Sequence, residues 1–144
     1  LLPIFPRQGL RVSLIKHAHH RFDVDQPGKD SYRHRHAGCS EVLIASSVRW
    51  ALMHELRAEP EPALADLIRH ISPCDLLLIE GFKYEAIPKL EVYRSKVGEP
   101  LLFPQDRHIV VLASDGHVDT RLPQYDLDDV PAIAAYICEY LGLV

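Results

Sequence analysis

Cysteine is scarce in this chain. Cys39, Cys74 and Cys138 are the only three; they lie far apart and form no Cys-x-x-Cys pair. That pattern excludes a disulfide scaffold and a thiolate zinc site, and it favours a reducing compartment, the cytoplasm. Each cysteine reads as a small apolar filler. Long apolar runs are lacking too: nothing approaches the ~18 residues of a membrane-spanning helix. The opening "LLPIFPRQG" carries neither a charged start nor a cleavage site, so it is no secretory signal. It also lacks a methionine and reads as cut inside a longer apolar segment. An excess of positive charge is missing as well. A net charge of −4 gives no whole-protein attraction to nucleic acid or an anionic membrane.

What is present describes an ordered globular chain. Its 144 residues, 47% apolar and 25% charged, suit one domain with a sizeable core. "LRVSLI", Leu10 to Ile15, reads as a buried strand that runs into the polar burst "KHAHHRFDVDQPGKDS". Asp30 or Ser31 caps a short helix through "SYRHRHA", and Gly38 suits its end. "EVLIAS" and "RWALMHEL", separated by Ser47 and Val48, read as a β-hairpin. "EPEPALADLIRHIS" predicts a helix, with Pro62 in its first turn and Leu64, Leu67, Ile68 and Ile71 on one face. "DLLLIEGF" has the solid apolarity of a central parallel strand. "KLEVYRS" alternates like an edge strand, and "RHIVVLASD" reads as another buried one. "DLDDVPAIAAYICEYLG" predicts a C-terminal helix capped by Asp128 or Asp129, with Pro131 in its first turn and Gly142 at its end. Strands alternating with helices indicate an α/β domain spanning 1–144.

In such sheets ligands gather at the carboxyl ends of the strands, and three strands here end in chemistry. "PGKDS" imitates a phosphate loop, but Asp23 stands where Walker A requires glycine, and Asp30 rather than Ser follows Lys29. The turn-plus-cap reading wins. In "KHAHH", His17 and His19 share one face of a strand and His20 adds a third imidazole. Asp23 and Asp25 add hard oxygens, so a transition-metal site is one reading. The other is contacts from Lys16 and these aspartates to Mg²⁺ on a nucleotide phosphate. "LLLIEGF" resembles a Walker B strand, whose terminal carboxylate, Glu80, holds or orients magnesium; Gly81 lets the backbone turn beside a ligand. "LASDG" puts Ser114 and Asp115 at a further tip. There the carboxylate is able to accept hydrogen bonds from guanine, or simply to serve a turn.

Taken in order, "LIKHAHHRFDVDQPGKDSYRHRHAG", "ASSVRWALMHE", "DLLLIEGFK" and "IVVLASD" resemble the molybdopterin-guanine dinucleotide biosynthesis protein B family over nearly the whole chain. The resemblance implies a P-loop NTPase fold, a mostly parallel sheet flanked by helices, with the β-hairpin as an insertion. It also implies GTP and Mg²⁺ binding, weak GTPase activity, a homodimer, and partnership with the guanylyltransferase that attaches GMP to molybdopterin. On this reading Lys16, His17, Asp23 and Asp25 lie near the phosphates. Glu80 is the Walker B acid and the principal catalytic and metal-binding group, supported by Asp23 or Asp25. Gly81 adjoins the cofactor, and Ser114 and Asp115 lie by the base. The family's first strand and Walker A loop have no counterpart in these residues. The chain is therefore expected, as it stands, to bind GTP poorly. Two readings from other classes stay open: a metal carrier using the loop at 16–25, and a non-catalytic interaction protein whose hairpin supplies a dimer surface, with Trp50 and Met53 packing against a partner or against the core.

Overall fold

A computed structural model describes residues 1–18 and 22–143. In chain order they form α1 (Ile4–Arg7), β1 (Val12–Lys16), α2 (Asp30–His36), β2 (Glu41–Ala45), β3 (Trp50–His54), α3 (Leu64–Ile68), β4 (Leu76–Glu80), β5 (Lys89–Tyr93), β6 (Ile109–Ser114), β7 (Gln124–Asp126) and α4 (Val130–Leu141). They divide into two compact units: unit 1, Leu1–Ile15 with Ser72–Val144, and unit 2, Lys16–Ile71.

Unit 1 is an α/β layer structure, as the alternation of apolar runs and amphipathic segments requires. β6 pairs in parallel with β5 on one side and β7 on the other. β4 pairs with β1. The continuous apolarity of "IVVLA" matches its position, because β6 is the central strand of its sheet and nearly every residue is buried. α4 starts where Asp129 accepts the Ala132 N–H at 3.1 Å, and it ends at Gly142 in the left-handed region. Those two devices satisfy backbone groups that a helix end leaves open. Phe5 of the short α1, Leu76 of β4, and Ala134 and Cys138 of α4 form a buried cluster, flanked by Ile4, Val12, Leu78 and Ile137. Four residues make no stable helix alone. The fully buried Phe5 ring contributes about 1.5–3 kcal/mol relative to exposure and holds α1 in place.

Unit 2 contains the antiparallel hairpin of β2 and β3, in the register Leu43 opposite Leu52 and Ala45 opposite Trp50. Its turn closes without glycine because the Ser46 hydroxyl accepts the N–H groups of Val48 and Arg49, both at 3.2 Å. α3 is much shorter than the sequence pattern predicts. The backbone is still extended at the N-cap Ala63, at ψ 153°, so Pro62 lies before the helix rather than in its first turn. Beyond Ile68 the N–H groups of Arg69, His70 and Ile71 bond three residues back. The helix thus tightens into 3-10 turns and stops.

Stability and chemistry occupy opposite ends of the parallel strands. Beside the amino ends of β5 and β6, Asp106 accepts Lys89 Nζ at 2.6 Å and both the backbone N–H and ring nitrogen of His108. The Lys89 bond, then the His108 N–H, hold its carboxyl at about 2, below the ordinary 3.8. A lowered folded-state value adds stability that is complete above the unfolded value and disappears as protons bind. Acid unfolding of the native protein is therefore expected to steepen between about pH 4 and pH 2. Asp106→Asn should flatten that segment of the urea-midpoint profile, and a profile of unchanged slope would contradict the assignment.

Candidate functional site

Glu80 ends β4 after four consecutive apolar residues, so the strand's burial brings its carboxylate to the sheet's edge. The backbone then bends sharply, with Gly81 at φ 88° and Phe82 at φ 51°. Only glycine adopts the first conformation without penalty, and a phenylalanine in the second is strained. Such strain at a strand tip is typical of a backbone aimed at a ligand.

Beside β4 lies a cleft of about 1190 Å³, contained within unit 1. All residues of β4 and all of β5 line it. A sheet face would show only every second residue, so two strand edges border this cleft. Among the described residues β4 pairs only with β1 and β5 only with β6, so no further strand covers the other edge of either. This accounts for a departure from the sequence expectation: β4 is only half-buried along most of its length, although its composition is that of a central strand. The cleft wall is apolar at Leu78, Leu90, Val92 and Ile137, and charged at Glu80, Lys83 and Arg94.

Ser114 and Asp115 follow β6. Ser114 is buried, and its hydroxyl donates to the Gly116 carbonyl at 2.6 Å, closing the turn that "SDG" predicts. Asp115 accepts the Ser95 N–H at 2.9 Å and the Ser95 hydroxyl at 3.3 Å. These bonds, the backbone one foremost, hold its carboxyl below the usual range. Ser95 opens the 3-10 turn Ser95–Val97 just beyond β5. The parallel register that sets Tyr93 opposite Ser114 brings the two tips together. A small cavity of about 240 Å³ adjoins them, lined by Ser114, Gly116, His117, Gln124, Tyr125 and Asp126.

In unit 2, Lys16 is the last residue of β1, and His17 Nε2 lies 2.6 Å from Glu61 Oε1. Asp23 and Asp25 converge on Arg35 of α2. Its guanidinium donates to Asp23 at 2.8 Å, to Asp25 at 3.2 Å and to Glu55 at 2.7 Å. Asp25 also accepts the Ser31 hydroxyl and the Gln26 N–H, so it ties the loop to the start of α2. Burial alone would raise the Asp25 carboxyl; the bonds from Ser31, Gln26 and Arg35 outweigh it and hold the group low. Asp23 is lowered chiefly by Arg35, then by the Asp25 N–H. His19 and His20 lie outside the described residues. Among the described residues no group of three His, Cys, Asp or Glu side chains is arranged to hold a metal ion. No helix among them is long and apolar enough to cross a membrane, and all three cysteines are free.

Sequence reasoning missed Arg35, Ser95 and Arg94. Arg35 reads only as part of a small basic spot, Arg33 to Arg35, where nothing local marks a partner ten or twenty positions away. Arg94 and Ser95 carried one signal: they follow an alternating strand at the same edge as two recognised tips.

A family model described as molybdopterin guanine dinucleotide synthesis protein B matches residues 1–115. The chain is 41% identical to the molybdopterin-guanine dinucleotide biosynthesis adapter protein of Escherichia coli, covering 98% of this chain and 82% of that protein. With the Haemophilus influenzae protein of the same description the identity is 37%, over 98% and 79%. A crystal structure of molybdopterin-guanine biosynthesis protein B superposes with a TM-score of 0.73 at 27% identity, covering 96% of this chain and 86% of the other. A homologue from Bacillus stearothermophilus, at 18% identity and a TM-score of 0.70, shares the fold.

Proposed function

This chain belongs to the molybdopterin guanine dinucleotide synthesis protein B family, and from that membership we propose that it binds Mg²⁺–GTP on behalf of a guanylyltransferase. Its role is that of an adapter in molybdopterin guanine dinucleotide biosynthesis. The observation that carries the nucleotide reading is the strand-tip array of unit 1: Glu80, Gly81, Lys83 and Arg94 at one cleft, with Ser114 and Asp115 at the next tips of that unit.

The residues present fit the ligand. Glu80 supplies a hard oxygen for Mg²⁺, and Lys83 and Arg94 supply positive charge for phosphates. Gly81 leaves room for close backbone approach. Ser114 with its neighbouring cavity, and Asp115, are assigned to the base; Lys16 and His17 belong to unit 2, and the family resemblance alone assigns them to the phosphates. Asp23 and Asp25 join the metal only by exchanging the Arg35 guanidinium for the cation. Bound Mg²⁺ would screen the phosphate charge and polarise the terminal phosphoryl group. Among the described residues no histidine lines the cleft, in keeping with slow hydrolysis and an accessory role. The three free cysteines suit the cytoplasm. Titration of the full-length protein with GTP, in Mg²⁺ and then in EDTA, tests the reading. Micromolar, Mg²⁺-dependent binding with GTP preferred over ATP is expected; equal affinity for both nucleotides, or none, would end it.

Unit 2 supports a homodimer. One face of the hairpin carries Leu43, Leu52 and Trp50, exposed by 61%, 43% and 65%. Cross-strand register unites them in one apolar strip, far from the scattered single exposures of ordinary surfaces. Trp50→Glu is expected to weaken self-association by about thirtyfold, the effect of losing an aromatic anchor. Sedimentation velocity reads this directly, with circular dichroism showing that the fold is kept. An unchanged dimer would remove the hairpin from the interface.

A further inference from the structure

The Asp115 carboxylate is already engaged in the absence of ligand. It spans the tips of β5 and β6, accepting the Ser95 N–H with one oxygen and the Ser95 hydroxyl with the other. The N–H at the start of a helical turn has no partner within the turn, so Asp115 supplies the acceptor that the turn lacks. Two further features fix the turn's shape. Val97 N–H donates to the Arg94 carbonyl at 3.0 Å, and Gly98 closes it at φ 75°. Arg94 is therefore held at both ends: behind it runs β5, and ahead of it lies a turn pinned to the neighbouring strand. Arg94 lines the same cleft as Glu80 and Lys83.

We propose that Asp115 is a positioning residue: through Ser95 it holds the turn that presents Arg94 to the phosphate chain of a bound nucleoside triphosphate. This rests on the nucleotide reading above and departs from direct readout of guanine by Asp115. Each Asp115 oxygen already accepts one bond from Ser95, so the carboxylate is oriented by the turn, although each oxygen keeps a second lone pair. An arginine at a strand tip, lining the same cleft as a carboxylate suited to Mg²⁺, is able to meet phosphate oxygens with the planar fork that guanidinium offers.

The test compares Arg94→Gln, Asp115→Asn and Asp115→Glu with the native full-length protein. Affinities are measured in Mg²⁺ for GTP, XTP and inorganic tripolyphosphate, with amide exchange of residues 94–98 followed without ligand. Arg94→Gln is expected to weaken GTP and tripolyphosphate alike, by about tenfold, the worth of one charge-assisted hydrogen bond. Asp115→Asn should speed exchange at Ser95 and Lys96 and weaken both ligands by a smaller factor, while GTP stays preferred over XTP. Asp115→Glu should restore part of the protection. A switch of Asp115→Asn toward XTP would overturn the proposal in favour of direct base readout. Undiminished tripolyphosphate binding by Arg94→Gln would overturn the role of Arg94 alone. If the native protein binds GTP and tripolyphosphate no better than buffer controls, the functional reading has failed and the ligand role of Arg94 falls with it.

Discussion

Glu80→Gln is expected to weaken Mg²⁺-dependent binding of GTP by at least about tenfold, and to slow any accompanying hydrolysis at least as much. The substitution keeps the side chain's shape and removes one negative charge, so the strand and its bend should persist. Four apolar residues hold β4 in the fold and deliver the carboxylate to the edge; the turn at Gly81 and Phe82 then leads the backbone away from it. An amide oxygen is a far weaker partner for Mg²⁺ than a carboxylate. The sign should reverse in EDTA. Without the cation, the native carboxylate repels the triphosphate, so the variant should bind GTP equally well or slightly better. Parallel titrations in Mg²⁺ and EDTA separate this account from general damage, which would lower both affinities together.

The second large effect falls on unit 2. Arg35→Met should lower the thermal midpoint by about 5–10 °C, through accelerated opening of the segment between Asp23 and Arg57. The Arg35 side chain is 11% exposed and that of Asp25 5%, so removing the guanidinium strands an almost dry carboxylate beside two others. Breaking one side of such a cluster costs more than the pair contributes, because the remaining charges lose their compensation. Arg57 adds to the lesion. At φ 50° it bends back to donate to the carbonyls of Arg35 and Cys39, closing the end of α2. The variant should recover stability on mild acidification, since protonating Asp23 and Asp25 relieves their repulsion. The native protein should do the opposite, because both carboxyls lie below their ordinary values when folded and lose their contribution as protons bind. Urea midpoints followed from pH 5 down to pH 3 read both slopes, since the native contribution is lost only as pH falls below the unfolded carboxyl value; parallel behaviour of the two proteins would contradict the network.

Local chemistry made much of the fold legible. Asp129, Pro131 and Gly142 are spaced as a helix cap, first turn and stop, and α4 follows them. Two β-rich runs around Ser47 and Val48 gave the hairpin, even without a turn glycine, because Ser46 closes it through its side chain. α3 was overestimated because apolar spacing does not show that the chain is still extended at Ala63. β4 looked central from composition, yet composition cannot reveal which edge a strand leaves open. The candidate site divides in the same way. Glu80, Ser114 and Asp115 are contiguous with apolar runs, so strand burial announces their position. The Asp115–Ser95 clamp and the Arg35 cluster link residues twenty and ten or more positions apart; strand register brings the first together, and the packing of α2 against its preceding loop the second.

The most direct measurement is hydrogen exchange of the full-length protein with and without Mg²⁺–GTP. The account predicts protection at 79–83, 93–97 and 114–117, the strand tips that carry Glu80, Arg94 and Asp115. Binding of GTP that leaves all three segments exchanging as before would contradict it.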